Sequence, residues 1–320
     1  MMTFDLLQET KDAKRIGITG HIKPDGDCIG SCLALLHYLE LCYPDKECEV
    51  FLEDPGRSFK DIPLRDRINT DYPEREPFDV FIVCDTNKER TGAALKYFEK
   101  AKKTINIDHH VSNSNGTGDV NHVVAGMSSC AEVLYDLMDN TKIDAVMAEL
   151  IYMAIAHDTG VFRFSNTTPD TMRKAGSLLE FGFDFPKLLD ETYYVKTFLQ
   201  SRFQAQIVLE SKRYLNGQVI VGTADKRMMD LFGAGKDDTD GAVGELRNTE
   251  GVECAIFIYE RTPGSFKASL RASSDKVNVA RIAEKFGGGG HVRAAGCEYE
   301  GAMEDMIYML LTEAAAQLGT

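Results

Sequence analysis

The chain has 320 residues, of which 43% are hydrophobic and 27% charged. This composition is typical of soluble globular proteins and excludes a disordered or fibrous one, and the length suggests roughly two domains. The formal net charge of −14 argues against a protein that coats long duplex nucleic acid or an anionic membrane, because such binding depends on an excess of Lys and Arg.

The sequence favours a cytoplasmic protein. No stretch approaches 18 consecutive apolar residues, so we expect no membrane-spanning helix. The first residues are polar and mixed in charge, which is unlike a secretion signal. The eight cysteines form no C-x-x-C pair, which argues against a disulfide framework or a structural zinc site and fits a reducing compartment.

The first half of the chain predicts an α/β domain with a mainly parallel sheet covered by helices. Short apolar runs alternate there with helical patterns, as in sheets that are buried on both faces. The predicted strands are residues 14–20, 49–52, 78–84 and 103–107. The predicted helices are residues 29–41, 128–139, 143–156 and 169–180.

The second half predicts a smaller α/β domain with a mixed sheet. Its predicted strands are residues 219–222, 254–259, 265–271 and 294–299, and its helices are residues 225–232, 277–286 and from 303 onward. Residues 185–211 are mostly helical in pattern and carry no recognisable chemistry. We therefore expect a catalytic domain over 1–185, a helical linker over 186–212 and a substrate-binding domain over 213–320.

Residue types that bind metal ions stand at the ends of three of the four N-terminal strands. They are His21, Asp25 and Asp27 after the first strand, Asp85 after the third, Asp108, His109 and His110 after the fourth, and Asp158 after an apolar helix. Ligands of open parallel sheets bind outside the carboxyl ends of the strands, so we expect these side chains to meet. Each alone has an ordinary explanation as a turn or capping residue. It is their joint position that indicates a site.

Divalent ions are expected in this cluster. So many carboxylates at one point repel one another unless cations are present. Carboxylate oxygens mixed with imidazole suit Mn²⁺ best, with Mg²⁺ or Co²⁺ as alternatives. One carboxylate bridging two ions about 3.5–4 Å apart would give the two-metal arrangement used for phosphoester hydrolysis.

The pattern resembles the DHH phosphoesterase superfamily. The matching residues appear in the order His21-x-x-x-Asp25-x-Asp27, Asp85, Asp108-His109-His110 and Asp158. A second pattern resembles the signature of the associated C-terminal domain, DHHA1, and its residues are Gly287-Gly288-Gly289-Gly290-His291-x-x-Ala294-Ala295-Gly296. Ser269-Leu270-Arg271 matches the phosphate-contacting strand of that domain. Together the two patterns cover nearly the whole chain.

This resemblance implies a centre of two divalent ions that share Asp85. The implied ligands are His21, Asp25 and Asp85 for one ion, and Asp27, Asp85, His109 and Asp158 for the other. By the same resemblance, Asp108 would orient an imidazole ring, and His110 would face the scissile phosphate and stabilise it or protonate the leaving oxygen. The remaining histidines His37, His122 and His157 are expected to be packing or rim residues.

A glycine run and a local excess of basic residues coincide in the second half. Residues 261–297 carry seven Lys or Arg against two acids, a local balance of +5. Consecutive glycines let a ligand approach the backbone, whose N–H groups can hold an anion, although a flexible linker is the ordinary alternative. The expected phosphate-binding residues are Arg271, Ser273, Gly288, Gly289, Gly290 and His291. Closure of two domains around the ligand would then assemble the site.

Within the superfamily, the sequence is similar to the stand-alone bifunctional oligoribonucleases and 3'-phosphoadenosine-5'-phosphate (pAp) phosphatases, the NrnA-like group. RecJ-like exonucleases are longer, membrane cyclic-dinucleotide phosphodiesterases have preceding membrane segments, and family II pyrophosphatases lack the glycine-histidine signature. The resemblance implies Mn²⁺-dependent hydrolysis of short oligoribonucleotides and pAp, by attack on phosphorus of a hydroxide that bridges the two ions. It also raises a homodimer as the oligomeric state.

Two alternatives stay open. One is a cytosolic phosphodiesterase of cyclic-di-AMP or pApA, and the other is a nucleotide-binding protein without turnover. The complete ligand set argues against the second, because a pure binder has no need of two metal ions. Phe162, Phe164 and Tyr299 lie beside the motifs, and we expect them to pack in the core rather than stack on a base.

Overall fold

The computed structural model describes residues 4–319, without the side chain of His291. The chain divides between Val195 and Lys196 into two compact units, called here unit 1 and unit 2. Each unit contains its own six-stranded sheet. No helix in the described part of the chain has the length and apolar character needed to cross a membrane.

Unit 1 is an α/β domain. Its strands are β1 (Arg15–Thr19), β2 (Glu47–Phe51), β3 (Ile68–Asn69), β4 (Val80–Cys84), β5 (Thr104–Asp108) and β6 (Val120–Val123). Its helices are α1 (Leu6–Thr10), α2 (Gly26–Cys42), α3 (Leu95–Lys100), α4 (Cys130–Leu137), α5 (Ala145–Asp158), α6 (Pro169–Leu179) and α7 (Phe185–Leu189), with a π-helical turn over Asp190–Tyr194.

The sheet of unit 1 is parallel throughout, in the order β3-β2-β1-β4-β5-β6. Every residue of β4 and β5 is buried, as expected for central strands covered on both faces. Successive strands are added outward in one direction from β1 and in the other from β4. The point between β1 and β4 is therefore the topological switch point, where such sheets bind ligands at the carboxyl ends of the strands.

Close packing of α2 against α5 brings one end of each helix to that edge of the sheet. At Gly30 in α2, an added Cβ would lie 2.5 Å from the Leu150 carbonyl oxygen in α5, so only glycine fits. Asp27 lies in the first turn of α2, and Asp158 is the last residue of α5. The two carboxylates can therefore face the same place from two helices.

Unit 2 is the smaller α/β domain with a mixed sheet. Its strands are β7 (Lys212–Tyr214), β8 (Val219–Ala224), β9 (Cys254–Thr262), β10 (Ser265–Ala272), β11 (Gly289–His291) and β12 (Ala294–Glu300). Its helices are α8 (Phe198–Glu210), α9 (Lys226–Phe232), α10 (Ala242–Arg247), α11 (Val279–Glu284) and α12 (Met303–Leu318). The strand order is β11-β12-β10-β9-β8-β7, and the β8–β9 pair is parallel while the other pairs are antiparallel. The predicted fold class is confirmed.

The glycine run is part of the sheet of unit 2 and is not a flexible linker. Its second half forms the short strand β11, which pairs with β12. At Gly288 an added Cβ would clash with the backbone of Gly296, and at Gly290 with the backbone around Ala294 and Ala295. Gly288 and Gly290 are therefore required by the close approach of β12, whereas an added Cβ at Gly289 would meet no atom within 4 Å. The strands β3, β6 and β7 and the helix α10 were also not predicted, because each is too short for a clear periodicity.

Candidate metal centre and anion-binding surface

The candidate metal centre lies at the carboxyl ends of β1, β4 and β5. His21 follows β1, Asp85 follows β4, and Asp108 is the last residue of β5. These strands are neighbours in the sheet, and the switch point lies between the first two. The sheet topology therefore explains why residues distant in sequence converge here.

Asp85 occupies the centre of the cluster. Its φ of 59° is in the left-handed region, which is uncommon for a residue other than glycine and is better tolerated by Asp than by most. The side chain is buried, with Oδ2 3.5 Å from Nε2 of His21 and Oδ1 3.4 Å from Nε2 of His109. The two oxygens of one carboxylate thus face two different histidines.

His109 is surrounded by three carboxylates. Its Nε2 lies 3.2 Å from Asp158 Oδ2, 3.4 Å from Asp85 Oδ1 and 3.8 Å from Asp27 Oδ2. Its Nδ1 lies 3.1 Å from the Met127 carbonyl oxygen, which can only accept a hydrogen bond, so Nδ1 carries the proton. In the neutral ring Nε2 then presents its lone pair to the carboxylates.

His21 is arranged in the same way. Its Nδ1 donates to the Ile22 carbonyl oxygen at 2.8 Å, and its Nε2 lies 3.7 Å from Asp25 Oδ1 and 3.5 Å from Asp85 Oδ2. Asp25 is the N-cap of α2, and its Oδ1 accepts hydrogen bonds from the backbone N–H groups of Asp27 and Cys28. The cap fixes the carboxylate beside the ring.

Asp27 is held in place by a helix far away in sequence. Its side chain is fully buried, Oδ2 accepts from the backbone N–H of Cys130 at 2.7 Å, and Oδ1 accepts from that of Ala131 at 3.0 Å. These donors are the first N–H groups of α4, which have no partner within the helix. Ser31 adds a hydroxyl hydrogen bond to Oδ1 at 3.1 Å.

The carboxylates of the centre are under electrostatic strain. Burial first, and the neighbouring carboxylates second, raise the pKa of Asp158 to about 7 and raise that of Asp27 well above its ordinary value. Burial lowers the pKa of His109, but the carboxylates of Asp85, Asp27 and Asp158 outweigh it and raise it to about 10. Positive charge at this point is strongly favoured.

The residues present fit a pair of divalent ions. Asp85 Oδ1 and His109 Nε2 are both buried and have no hydrogen-bond partner among the described residues. Buried polar atoms of this kind require a partner, and a cation bound by both would supply it. Possible ligand atoms of Asp27, His109 and Asp158 all lie within 4.8 Å of one another. Carboxylate and imidazole donors form the set that hard and intermediate divalent ions take.

Asp108 joins the centre through hydrogen bonds. Its Oδ1 accepts from Nδ1 of His110 at 2.7 Å and from the backbone N–H of His109 at 2.7 Å. Its Oδ2 accepts from the Asn113 amide at 2.7 Å. Although burial disfavours the charged carboxylate, the hydrogen bonds from His110 and Asn113 lower the pKa of Asp108. Burial lowers the pKa of His110, and Asp108 and Asp85 raise it overall.

Asn113 and Asn106 were missed by the sequence analysis. The Asn113 amide also donates to Asn106 Oδ1 at 2.9 Å, and the Asn106 amide donates to the carbonyl oxygens of Val83 and Thr86. This buried pair links the loop after β4 to the loop after β5. An asparagine inside a buried strand is the signal that could have indicated Asn106, because a buried amide needs several partners.

The other histidines have packing partners, as expected. His37 Nε2 lies 2.8 Å from Asp144 Oδ2, and the ring of His122 stacks on Phe4. His157 packs against Gly26, where an added Cβ would clash with the ring, and burial lowers its pKa to about 4.

The aromatic residues beside the motifs are placed differently from one another. Phe162 and Tyr299 pack at the margins of the cores of their units. The expectation of core packing is wrong for Phe164, whose side chain is 40% exposed. It lies over Gly160, where no Cβ would fit beneath the ring.

A basic surface in unit 2 lies on one face of β10. The strand alternates buried apolar residues with the half-buried Lys267, Ser269 and Arg271. These three side chains line a small pocket whose other walls include Phe257 and Tyr259 of β9. On β12, the positions that pair with Ser269 and Arg271 are Gly296 and Ala294, which have little or no side chain. Lys236 and one acid, Asp240, also line the pocket, so three cationic groups and a hydroxyl stand beside a single carboxylate. Such a surface can hold an anionic group.

Of the predicted phosphate-binding residues, only some lie at this pocket. Arg271 lines the pocket, while Ser273 is exposed just beyond the end of β10 and is not among the lining residues. Gly289 and Gly290 are exposed in β11, and Gly288 is half-buried. The side chain of His291 lies outside the described part of the chain. Lys267 was missed, although its i, i+2 spacing with Ser269 and Arg271 places all three on one face of a strand.

Family models match both units. Residues 15–155 match the DHH family, N-terminal domain, and residues 216–319 match the DHHA1 domain. The first range contains His21, Asp85 and His109, and the second contains Arg271 and the glycine run. The two matches are in the order that the sequence patterns predicted.

Two curated relatives are both named bifunctional oligoribonuclease and PAP phosphatase NrnA. The protein from Thermus thermophilus is 30% identical over 306 residues, which are 94% of this chain and 89% of the relative. The protein from Bacillus subtilis is 31% identical over 287 residues, which are 86% of each chain. A more distant relative, cyclic-di-AMP phosphodiesterase PdeA from Listeria monocytogenes, is 25% identical over 88% of this chain and 44% of that protein.

Solved structures agree on the fold. An exopolyphosphatase-related protein from Bacteroides fragilis superposes with a TM-score of 0.87 at 24% identity, over 98% of this chain and 95% of that one. RecJ from Thermus thermophilus in complex with Mn²⁺ gives a TM-score of 0.54 at 13% identity, over 98% of this chain and 53% of that one. Together with the matched models and the relatives, this places the chain in the DHH/DHHA1 phosphoesterase superfamily, whose members hydrolyse phosphoester bonds, and among the relatives of NrnA.

Proposed function

We propose that this protein is a Mn²⁺-dependent phosphoesterase that degrades short oligoribonucleotides and dephosphorylates pAp. The observation that carries the proposal is Asp85, whose two carboxylate oxygens face the Nε2 atoms of His21 and His109 at 3.5 and 3.4 Å. That placement is suited to a carboxylate that bridges two cations. The names of the two NrnA relatives supply the substrates.

The proposed ligand sets are those that the superfamily resemblance implies, and the distances around the two histidines support them. His21, Asp25 and Asp85 would hold one ion, and Asp27, Asp85, His109 and Asp158 the other. When bound, the two ions would lower the pKa of an attacking water and neutralise charge that develops on the phosphoryl oxygens. The carbonyl oxygens of Ile22 and Met127 keep Nδ1 of each histidine protonated, so Nε2 remains available as the ligand atom.

His110 is the proposed acid near the leaving oxygen. Asp108 accepts a hydrogen bond from its Nδ1 and raises the pKa of the ring, which favours a proton on Nε2 as well. A protonated imidazole can donate to a phosphoryl oxygen or give its proton to the departing alkoxide. Asp108 and Asn113 set the orientation of the ring without contacting the substrate.

Unit 2 is proposed to bind a second phosphate of the substrate. Lys267 and Arg271 supply positive charge and Ser269 a hydroxyl on one face of β10, beside the aromatic rings of Phe257 and Tyr259. A few local contacts of this kind suit a short oligonucleotide or pAp, and they agree with a chain whose overall charge is −14.

The proposal is tested with a substrate panel. Purified protein is incubated with pAp, labelled di- to pentaribonucleotides, a longer RNA, cyclic-di-AMP, pApA and pyrophosphate, with Mn²⁺ and with chelator. We expect Mn²⁺-dependent release of phosphate from pAp and of mononucleotides from the short RNAs. Asp85→Ala is the inactive control, and Asp61→Ala, whose exposed carboxylate pairs with the neighbouring Lys60, is the matched active control.

Three outcomes would overturn the proposal. A preference for cyclic-di-AMP or pApA of about tenfold or more in kcat/KM, which is about 1.4 kcal/mol of transition-state binding, would assign the protein to the cyclic-dinucleotide phosphodiesterases. Binding of pAp without turnover would make it a nucleotide-binding protein. Equal activity with chelator would exclude the metal centre.

A further inference from the structure

Asn166 connects the two segments that bring Asp27 and Asp158 to the candidate metal centre. Its amide nitrogen donates to the carbonyl oxygen of Ser128 at 2.9 Å and to that of Asp158 at 3.1 Å. Both partners can only accept, so the nitrogen and not the oxygen of the amide faces them. Ser128 directly precedes the N-cap residue of α4, and Asp158 is the last residue of α5. One side chain thus joins the beginning of α4 to the end of α5.

The end of α5 needs this partner. The last carbonyl oxygens of a helix have no partner within the helix. The three carbonyl oxygens before that of Asp158 accept from backbone N–H groups of the following turn, residues 159–161. The carbonyl oxygen of Asp158 accepts from the Asn166 amide instead. Asn166 therefore completes the end of α5 at the residue that also carries a candidate ligand.

A left-handed turn carries the chain back from Asp158 to Asn166. Residues 160–162 all have φ between 55° and 63°. Positive φ is unusual for a β-branched residue such as Val161, and it persists only where the surrounding structure holds it. The buried hydroxyl of Thr159 accepts a hydrogen bond from a backbone N–H of this turn at 3.0 Å. The turn is held by such contacts, so Asn166 returns to α5 in a fixed position.

Ser128 is itself firmly held. Its backbone N–H and its hydroxyl both donate to one carboxylate oxygen of Glu132, a residue that is 1% exposed. Lys174 of α6 pairs with the other oxygen of that carboxylate at 3.2 Å. A buried ion pair of this kind is difficult to separate, because one charge would be left without a partner. The Asn166 amide is therefore bonded to a fixed point of the fold.

The beginning of α4 in turn holds Asp27. The first two N–H groups of the helix donate to the two oxygens of the Asp27 carboxylate at 2.7 and 3.0 Å. Asp27 and Asp158 both face Nε2 of His109, at 3.8 and 3.2 Å. The Asn166 amide therefore acts on both carboxylates. It acts on Asp27 through the N–H groups of α4 and on Asp158 through the backbone of that residue.

We propose that Asn166 is a positioning residue that fixes the separation of the Asp27 and Asp158 carboxylates. Without its amide, the beginning of α4 and the end of α5 lose a shared partner, and the two carboxylates can move apart. A divalent ion that needs both carboxylates then binds more weakly, since the groups that hold ligands in place contribute to metal affinity. The inference rests on the proposed function for the ion that the two carboxylates share.

Mn²⁺ titrations of metal-free wild type and Asn166→Ala, followed by electron paramagnetic resonance, measure this effect. The wild type should bind two ions, and in the variant one of them should bind about tenfold more weakly. At saturating Mn²⁺ the variant should recover kcat for pAp with an unchanged KM, because the phosphate-binding residues are intact. Asn69→Ala is the matched control, since Asn69 is also half-buried and its amide donates to a backbone carbonyl oxygen, that of Val50.

A second variant guards against an effect of lost volume. Asn166→Leu keeps a side chain of similar size but removes both donors, so it should weaken the binding of the same ion as Asn166→Ala does. Thermal unfolding of the metal-free proteins shows whether each variant is folded at the assay temperature. Weakening in the alanine variant alone would overturn the inference, because the cause would be a cavity rather than the lost hydrogen bonds.

Native-state hydrogen exchange tests the positioning without any ion. In metal-free Asn166→Ala, the N–H groups of Cys130 and Ala131 should exchange about tenfold faster than in the wild type, since the lost hydrogen bond loosens the beginning of α4. The N–H of Met147 donates to Asp144 at the opposite end of α5 and should exchange at the wild-type rate.

The two measurements separate this inference from the proposed function. If the wild type binds Mn²⁺ and both variants bind it equally well, the inference is wrong, whatever the exchange rates, and the function stands. A wild type that binds no Mn²⁺ would overturn the function. Faster exchange at Cys130 and Ala131 would then still support Asn166 as the positioning residue, and unchanged exchange would overturn the inference as well.

Discussion

The fully buried carboxylate of Asp108 accepts a hydrogen bond of 2.7 Å from Nδ1 of His110, two residues further along the chain. The same oxygen also accepts hydrogen bonds from the backbone N–H groups of His109 and His110, which directly follow β5. One buried carboxylate therefore fixes the path of the chain and the orientation of the imidazole ring together.

Asp108→Asn should lower kcat about 10- to 100-fold while leaving KM for pAp nearly unchanged, because the ring of His110 loses its charged partner but the phosphate-binding residues are intact. Steady-state kinetics measure the split. Asp119→Asn is the control, since Asp119 caps Thr104 on the far end of the same strand. A variant that changed KM alone would contradict a positioning role for Asp108.

Asp85→Ala should abolish turnover and remove the stabilisation that Mn²⁺ gives to the wild-type protein. At 100 times its Kd, a ligand that binds only the folded state adds about 2.7 kcal/mol, which corresponds to a rise in Tm of about 5 °C or more for unit 1. Scanning calorimetry with and without Mn²⁺ measures the rise. Near-normal activity of the variant at saturating Mn²⁺ would show that Asp85 is not the shared ligand.

Arg271→Ala should raise KM for pAp roughly tenfold or more and change kcat little, since a charge-assisted hydrogen bond contributes about 1.5–3 kcal/mol. Arg281→Ala is the matched control, because Arg281 belongs to the same basic segment but lies exposed on α11. Arg271→Lys should recover only part of the loss, as it keeps the charge but not the bidentate geometry. Equal effects of the two alanine variants would point to general electrostatic attraction instead.

Asp79→Asn should destabilise unit 1 at neutral pH and have little effect in acid. The ammonium of Lys102 first, and the backbone N–H groups of Arg15 and Lys14 next, lower the pKa of Asp79 to about 2. Its stabilisation is fully present above the ordinary Asp pKa of about 4 and is lost as the pH falls through about 2. For this partly exposed pair we expect about 1 kcal/mol at pH 7.

Urea unfolding of wild-type and variant protein, from pH 7 down to about pH 2, gives the difference in the free energy of unfolding at each pH. Asp61→Asn, whose carboxylate pairs with Lys60 at the surface, should show no pH-dependent difference. If the difference in the free energy of unfolding between wild type and Asp79→Asn stayed constant down to about pH 2, the ionised carboxylate would not be the cause of that difference.

The sequence predicted the strands that are long and buried. β4 is a continuous apolar run that is followed directly by the candidate ligand Asp85. β5 contains the apolar Ile105 and Ile107 and ends at Asp108, so both strands and their functional ends were recognisable. β3 has two residues and β6 is only partly buried, so neither produces a periodic pattern. Their pairing depends on the neighbouring strands rather than on their own composition.

The candidate ligands were predictable from their residue types, but the hydrogen-bonding groups that hold them in place were not. The backbone N–H of Cys130 donates to the carboxylate of Asp27 at 2.7 Å, although the two residues are more than one hundred positions apart. Nothing in the local sequence connects them. The glycine run indicated a place where something approaches the backbone closely. It did not indicate that the approaching segment would be β12. Contacts made by backbone groups leave no signature in residue type.

The candidate ligands of unit 1 come from four separate segments between His21 and Asp158, which the parallel sheet and the α2–α5 pair bring together. No short fragment carries the complete set of donors, so a nascent chain would gain the full proposed centre only after almost half of its length had been synthesised and the strands had paired. Ion uptake would then report the completion of this half of the molecule. A truncation that stops before α5 would leave a peptide that lacks a donor even if its sheet formed.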